Sequence, residues 1–152
     1  MDRTDQMKLA PIGWVNNAIA DKHHHGWQDV ISVISVTEAC VPALEGLADF
    51  SHIIVLFWFH MIGAEERKTR RERPRRGSGN PELGIFSWHG PRRPNPIGMS
   101  IVKLLEIRDN QVTVRGLDAI DQTPVLDLRP YVASYYRVER SEEPGWVTVT
   151  MA

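Results

Sequence analysis

The sequence predicts a mainly β protein with little helix, folded as one barrel or sandwich. Short apolar segments rich in β-branched residues recur along the 152-residue chain, and turn-forming residues separate them. The strand–helix alternation and the G-x-G-x-x-G turn of dinucleotide-binding folds are missing from the sequence. A Rossmann-type nucleotide site is therefore disfavoured.

The predicted elements follow the apolar pattern in chain order. Leu9–Val15 and Val30–Val36 are the first strands, and apolar positions within Ala43–Phe50 repeat at helical spacing, which indicates a short helix or turn. The run His52–His60 is apolar on both faces, as in a strand covered on both sides. Asp109 and Asn110 mark a turn between two later strands. The further predicted strands are Leu83–Trp88, Ser100–Ile107, Gln111–Leu117, Val125–Leu128 and Trp146–Met151.

Composition places the chain among ordinary globular domains. Hydrophobic residues make up 42% and charged residues 24%, which argues against collagen, a coiled coil or wholesale disorder. The longest apolar run, Ile53–Phe59, is far shorter than the ~20 residues of a membrane span. The polar N-terminus is unlike a signal peptide. We therefore expect a cytoplasmic protein of one domain, residues 1–152, without a membrane partner.

Positive charge is concentrated in one segment. Between Arg67 and Arg76 seven basic residues accompany one acidic residue, a net charge of +6, so the remainder of the chain, whose total is −1, carries −7. The surrounding stretch, Ala64–Pro81, is rich in Arg, Gly and Pro, and we expect a mobile excursion from the barrel. Its arginines could bind RNA phosphates or form a solvated surface. The candidate phosphate ligands are Arg70, Arg71, Arg73, Arg75 and Arg76.

A proline-rich loop is the first candidate ligand-binding segment. Residues 91–100 read PRRPNPIGMS, and the three prolines restrict the backbone before Gly98 releases the turn. A stiff loop loses little entropy on binding, and Arg93 and Asn95 could donate hydrogen bonds to an adenosine or a carboxylate. The alternative is a rigid connection between strands.

An aspartate-rich stretch is the second candidate segment. Residues 116–131 contain Asp118, Asp121 and Asp127. Carboxylates can accept hydrogen bonds from ribose hydroxyls or an amine, and one with a raised pKa could act as a general base. Each aspartate could instead cap a turn.

Three adjacent histidines, His23 to His25, lie in a loop before the second predicted strand. Adjacent side chains rarely converge on one ion, so we expect no metal site there. A solvated loop, or one that covers a cofactor, is the preferred interpretation.

Together these segments resemble the TsaA-like family, the TrmO-type tRNA methyltransferases. The similar stretches are 43–60, 84–86, 93–100 and 117–131, and the most specific feature is RPNPIG followed by D-x-T-P-x-x-D-x-[KR]-P-Y. The resemblance implies a dimeric β-barrel that holds S-adenosylmethionine (SAM) near its subunit interface. It also implies methylation of N6 of threonylcarbamoyl-adenosine beside the anticodon of tRNA.

The resemblance implies positions for the cofactor as well. The residues expected near SAM are His60, Met61, Met99, Leu117 and Asp118, supported by Arg93 and Asn95. His89 occupies the position where many relatives have an arginine, so a carboxylate or phosphate contact there would be weaker. The methylated nitrogen must lose a proton, and the candidate acceptors are Asp118, Asp121 and His60, among which the sequence does not choose.

Two other functions remain open at this point. A SAM-dependent methyltransferase acting on a small molecule is favoured by His89 and by the histidine loop. We also expect no C-terminal domain of the kind found in longer bacterial relatives, so tRNA would be placed by the barrel, the basic segment or a dimer mate. The second alternative is a SAM-sensing or RNA-binding module without turnover. DNA is not expected as a partner.

Overall fold

Alternating apolar residues and short turns produce a closed barrel of antiparallel strands. The computed structural model describes residues 6–74 and 79–147. Their strands are β1 Gly13–Asn16, β2 Ile31–Val36, β3 His52–Trp58, β4 Arg71–Glu72, β5 Leu83–Gly84, β6 Ile97–Arg108, β7 Gln111–Arg115 and β8 Pro124–Pro130. The helix α1 is Ala133–Tyr136. Around the barrel the strands follow the order β1-β2-β7-β6-β3-β8. The predicted all-β barrel is confirmed.

The chain divides into two compact units. Among the described residues, one unit is the barrel, residues 6–59 and 98–131, and the other consists of residues 60–74, 79–97 and 132–147. The chain thus leaves the barrel after Phe59 and re-enters it at Gly98.

The barrel interior is filled by inward-facing aliphatic side chains. In β3, Ile53, Val55 and Phe57 are inaccessible or nearly so, and alternate residues of β2 and β7 face the same core. Burial of each such side chain stabilises the fold by about 1.5–3 kcal/mol. Ile54, on the other face of β3, is also buried, which confirms that this strand is covered on both sides.

Gly98 is required by close packing at the start of β6. A Cβ atom at this position would lie 2.3 Å from Cε2 of Phe57. The ring of Phe57 also meets that of Phe59 edge to face, with the centroids 5.2 Å apart. The glycine that ends the proline-rich loop therefore allows β6 to lie directly against the core.

The second unit contains the short ladder β4–β5. Arg71 pairs with Gly84 and Glu72 pairs with Leu83. Single 3₁₀ turns at Glu66–Lys68 and Ile85–Ser87 flank the ladder. The described residues of the basic stretch thus form short regular elements in the unit outside the barrel, and the predicted mobility of the stretch stays a prediction.

The short helix or turn predicted at 43–50 is present as the 3₁₀ helices Glu38–Leu44 and Leu47–Asp49. They stay short because Pro42 lacks a backbone donor and Gly46 adopts a φ of 84°. Two predicted strands differ most from the structure. The predicted strand 83–88 ends at Gly84 and continues as a 3₁₀ turn, because its partner β4 has only two residues. The predicted strand 146–151 is wrong at its start, where Val147 donates a turn bond to Pro144; residues 148–152 lie outside the described part.

Among the described residues, no helix has the length and apolar character needed to span a bilayer.

Candidate functional site

One end of the barrel carries the loop that contains Leu117, Asp118 and Asp121. Because neighbouring strands are antiparallel, the ends of β1, β3 and β7 and the starts of β2, β6 and β8 lie together. We call this the loop end of the barrel. It carries the β1–β2 loop, residues 17–30, and the β7–β8 loop, residues 116–123.

Asn17 connects these two loops. Its Nδ2 donates to Ala119 O at 2.9 Å and to Ser32 Oγ at 3.0 Å, and its Oδ1 accepts from the Ile19 N–H at 3.0 Å. Ser32 is fully buried, so its hydroxyl needs a partner inside the protein. The amide of Asn17 therefore holds both loops in a defined position.

Asp121 belongs to the same network. Its Oδ1 accepts from the Asn17 backbone N–H at 3.0 Å, and its own N–H donates to Ile19 O at 2.7 Å. Hydrogen bonding from the Asn17 N–H, aided by Gln122, lowers the pKa of the Asp121 carboxyl group. A lowered pKa makes a carboxylate a weaker base. The structure thus gives Asp121 the properties of a loop-fastening residue.

Asp118 has the opposite character. It lies in the same loop, between the buried Leu117 and Ala119, and is exposed as a residue. Partial burial of its carboxyl group raises the pKa, and the charge of the nearby His24 opposes that shift. A carboxylate with a raised pKa is a stronger base than an ordinary aspartate.

The histidine loop is folded by local contacts. Asp21 accepts hydrogen bonds from the His23 and His24 backbone N–H groups at 2.9 and 3.1 Å. The rings of His24 and Trp27 meet edge to face, with their centroids 4.7 Å apart. An aromatic pair and a carboxylate, Asp118, thus occupy the loop end of the barrel together.

Two other predicted cofactor residues belong to the barrel. The side chain of Leu117 is fully buried in the core cluster, so only its main chain is available to a ligand. Met99, near the start of β6, exposes 59% of its surface.

Arg93 in the second unit holds the turn that precedes it. Its Nη1 donates to Ile85 O at 3.0 Å and to Trp88 O at 2.8 Å, and the guanidinium carbon lies 5.6 Å from the centroid of the Phe86 ring. These bonds fasten the proline-rich loop to the turn at residues 85–88. Such contacts orient the loop, and a guanidinium retains other donors for a ligand.

The other predicted residues of this unit are accessible to different degrees. His60 is partly buried, and that burial lowers its imidazole pKa, so its neutral form predominates at neutral pH. Met61, His89 and Asn95 are exposed. The proline-rich loop and the aspartate-rich stretch belong to different units, and their convergence on one ligand stays a prediction.

The basic segment is organised by bonds from arginine side chains to main-chain carbonyls. Arg70 donates to Arg67 O at 3.0 Å, Arg71 donates to Glu82 O at 3.3 Å, and Arg73 donates to Asn80 O. Carbonyl partners orient a guanidinium without neutralising its charge. Arg75 and Arg76, the other predicted phosphate ligands, lie outside the described residues.

Sequence reasoning missed Asn17 and His24 as individual residues. The signal for Asn17 was present, because an Asn-Asn pair directly after a strand is typical of an Asx turn. Its partners at residues 32 and 119 are far away in sequence, so no local pattern could identify them.

Comparison with known proteins identifies the family. The model of the tRNA-methyltransferase O N-terminal domain matches residues 20–136. The human protein named tRNA (adenine(37)-N6)-methyltransferase is 32% identical, over 93% of this chain and 34% of its own length. A probable S-adenosyl-L-methionine-binding protein from Methanothermobacter thermautotrophicus is 37% identical, over 83% of this chain and 90% of its own.

A solved structure gives the same result. The crystal structure of TrmO from P. aeruginosa superposes with a TM-score of 0.76 at 26% identity, covering 96% of this chain and 64% of that one. This chain spans about a third of the length of the mammalian relatives that it matches. By its sequence and by its barrel, the chain belongs to the family of tRNA-methyltransferase O N-terminal domains.

Proposed function

We propose that this chain is a SAM-dependent methyltransferase acting on tRNA, with N6 of threonylcarbamoyl-adenosine beside the anticodon as the methyl acceptor. The observation that carries the proposal is the family match over residues 20–136, which includes both candidate ligand-binding segments. The human, mouse and rat relatives are named tRNA (adenine(37)-N6)-methyltransferase.

The residues at the loop end of the barrel are suited to SAM. The cofactor supplies a methyl group activated by a sulfonium cation, and it also presents an ammonium group and ribose hydroxyls. Asp118 offers a carboxylate to a neutral donor such as a ribose hydroxyl, and the His24–Trp27 pair offers aromatic faces to the sulfonium cation. The chemistry of these side chains therefore fits the cofactor.

Among the three candidate proton acceptors, Asp118 is the one we propose. Its raised pKa makes it the stronger carboxylate base, whereas hydrogen bonds lower the pKa of Asp121 and so weaken its basicity. His60, whose pKa is lowered, is neutral at pH 7 and could accept a hydrogen bond from the acceptor nucleoside. Methyl transfer itself depends mainly on alignment of donor and nucleophile, which the fastened loops supply.

The basic segment is the proposed tRNA-binding surface. Replacement of Arg70, Arg71 and Arg73 by glutamate should weaken tRNA binding strongly and leave SAM affinity unchanged. If tRNA binding survives this reversal at both low and high salt, the segment is only a solvated surface.

A homodimer working in the cytoplasm is part of the proposal. The support for a second copy is a row of exposed apolar side chains on β6, where Met99, Ile101 and Leu105 expose 59%, 48% and 38% of their surfaces. Apolar surface of this kind is typical of protein interfaces. Light scattering coupled to gel filtration tests the dimer, and a monomer at micromolar concentration would contradict it.

The test of the activity uses tRNA from cells that lack the gene. The protein and SAM labelled in its methyl group are incubated with this tRNA, and the nucleosides are identified by mass spectrometry. We expect label on N6 of threonylcarbamoyl-adenosine, and Asp118→Asn should reduce the turnover by about 100-fold or more. Unchanged nucleosides would remove the tRNA assignment.

A second candidate is a SAM-binding module without turnover. It is favoured by the M. thermautotrophicus relative, which is 37% identical and is named a probable S-adenosyl-L-methionine-binding protein. In that case calorimetry would detect SAM binding, while the label would stay on the cofactor with every RNA tested.

Asn95→Ala should weaken SAM binding with little effect on stability, because its side chain is exposed.

A further inference from the structure

We infer that Arg92 is a positioning residue for RNA binding: it occupies two glutamates of the basic segment and so keeps the arginines of that segment available to phosphates. This inference rests on the proposed tRNA function and concerns a residue to which the sequence assigns no role. We call Arg92, Glu66 and Glu72 the three-charge cluster.

The geometry of the cluster lies entirely within the second unit. Arg92 donates from Nε to Glu66 Oε1 at 3.3 Å and from Nη1 to Glu72 Oε1. Arg92 belongs to the proline-rich loop, Glu66 begins the 3₁₀ turn at 66–68, and Glu72 lies in β4. A single guanidinium therefore joins the proline-rich loop to two separate points of the basic segment.

The two glutamates are partly buried, so their charges matter more than those of ordinary surface residues. The side chain of Glu72 is only 18% exposed, and its Oε2 atom is buried without a hydrogen-bond partner among the described residues. A partly buried carboxylate with unused acceptor capacity attracts any cation within reach. Arg92 meets that demand at Oε1 of each glutamate.

Other cations of the basic segment are close in sequence to both glutamates. Arg70, Arg71 and Arg73 are adjacent to Glu72 or two residues from it, and in the described residues they bond to backbone carbonyls and form no ion pair. If Arg92 were neutral, these arginines would be candidates to replace it. Each arginine turned toward a glutamate is one fewer for the RNA.

Arg92→Gln tests the inference in the full-length chain. The expected loss of one or two phosphate contacts corresponds to a weakening of RNA affinity by about 5- to 30-fold at 0.15 M salt, because each contact adds about 0.9 to the salt slope. The slope of log affinity against log salt should decrease by about 1 to 2. Binding is measured by anisotropy with a fluorescent anticodon stem-loop.

The decisive variant is the triple substitution Arg92→Gln, Glu66→Gln and Glu72→Gln. It removes the glutamate charges that would recruit the arginines, so RNA affinity and the salt slope should return to wild-type values. A purely structural role for Arg92 predicts no such rescue. A triple variant that stays as weak as Arg92→Gln would overturn the inference, and so would an Arg92→Gln variant with wild-type RNA affinity.

Two comparisons keep the test interpretable. Arg108→Gln removes the same charge from an exposed pair with Glu106 in the barrel and should change RNA affinity by less than twofold; an equal loss would mean that net charge alone accounts for the effect. If Arg92→Gln does not fold, the triple variant still decides, since weak RNA binding by a folded triple variant contradicts the inference. Failure of the proposed function is distinguishable, because the wild-type chain would then not bind or methylate tRNA.

Discussion

Replacement of Asn17 by alanine should be among the most destabilising single changes at the loop end of the barrel. The substitution removes three hydrogen bonds, to Ser32 Oγ, to Ala119 O and from the Ile19 N–H. At about 1 kcal/mol each, their loss lowers the free energy of unfolding by about 3 kcal/mol. The buried hydroxyl of Ser32, left without its partner, adds to this loss.

Urea unfolding followed by tryptophan fluorescence measures the effect. For a domain of this size, about 3 kcal/mol corresponds to a fall in Tm of about 6–12 °C. Asn110→Ala is a matched control, because its Nδ2 donates one hydrogen bond, to Val36 O at 3.1 Å, and its loss should lower the unfolding free energy by about 1 kcal/mol. Equal losses in the two variants would refute the view that Asn17 fastens both loops.

The remaining predictions concern packing and charge. Gly98→Ala should destabilise the barrel by about 1–3 kcal/mol because its Cβ would overlap the ring of Phe57, whereas Gly84→Ala, with open space around its Cβ, should change Tm little. Since the folded-state pKa of Asp121 is lowered, its carboxylate stabilises the fold above pH ~4 and loses that effect as the pH falls further. The difference in free energy of unfolding between the wild type and Asp121→Asn should therefore shrink on acidification, and a constant difference would contradict this. Burial raises the pKa of Asp118 and so disfavours its ionised form. Asp118→Asn should therefore leave the free energy of unfolding at pH 7 unchanged or slightly higher. The kcat/KM of the wild type should fall on acidification at a higher pH than it would with an ordinary aspartate as the base.

Local pattern was sufficient for the barrel strands because burial dictates them directly. The alternation in 31–36 and the two-sided apolar run at 52–58 are properties of consecutive residues, and the structure has strands at both places. The same reasoning failed at 83–88, where only Leu83 and Gly84 form a strand, because the partner strand has only two residues. Strand length there depends on pairing with residues 71–72, which lie outside any local window.

The candidate site also has a part that the sequence predicts and a part that only the structure reveals. The RPNPIG and D-x-T-P motifs were readable from the sequence, and they sufficed to place the chain in its family. The different characters of Asp118 and Asp121 were not readable, since both are aspartates in one loop. Hydrogen bonds from Asn17 and Gln122 lower the pKa of Asp121, and burial raises the pKa of Asp118.

The sequence by itself determined the β class, the concentration of positive charge and the family. Only the tertiary structure decided which polar side chains act on each other: Asn17 with Ser32 and Ala119, and Arg92 with two glutamates. The physical reason is that apolar periodicity and motif spacing are properties of neighbours along the chain. Hydrogen bonds and ion pairs depend on distances that exist only after distant segments have packed together.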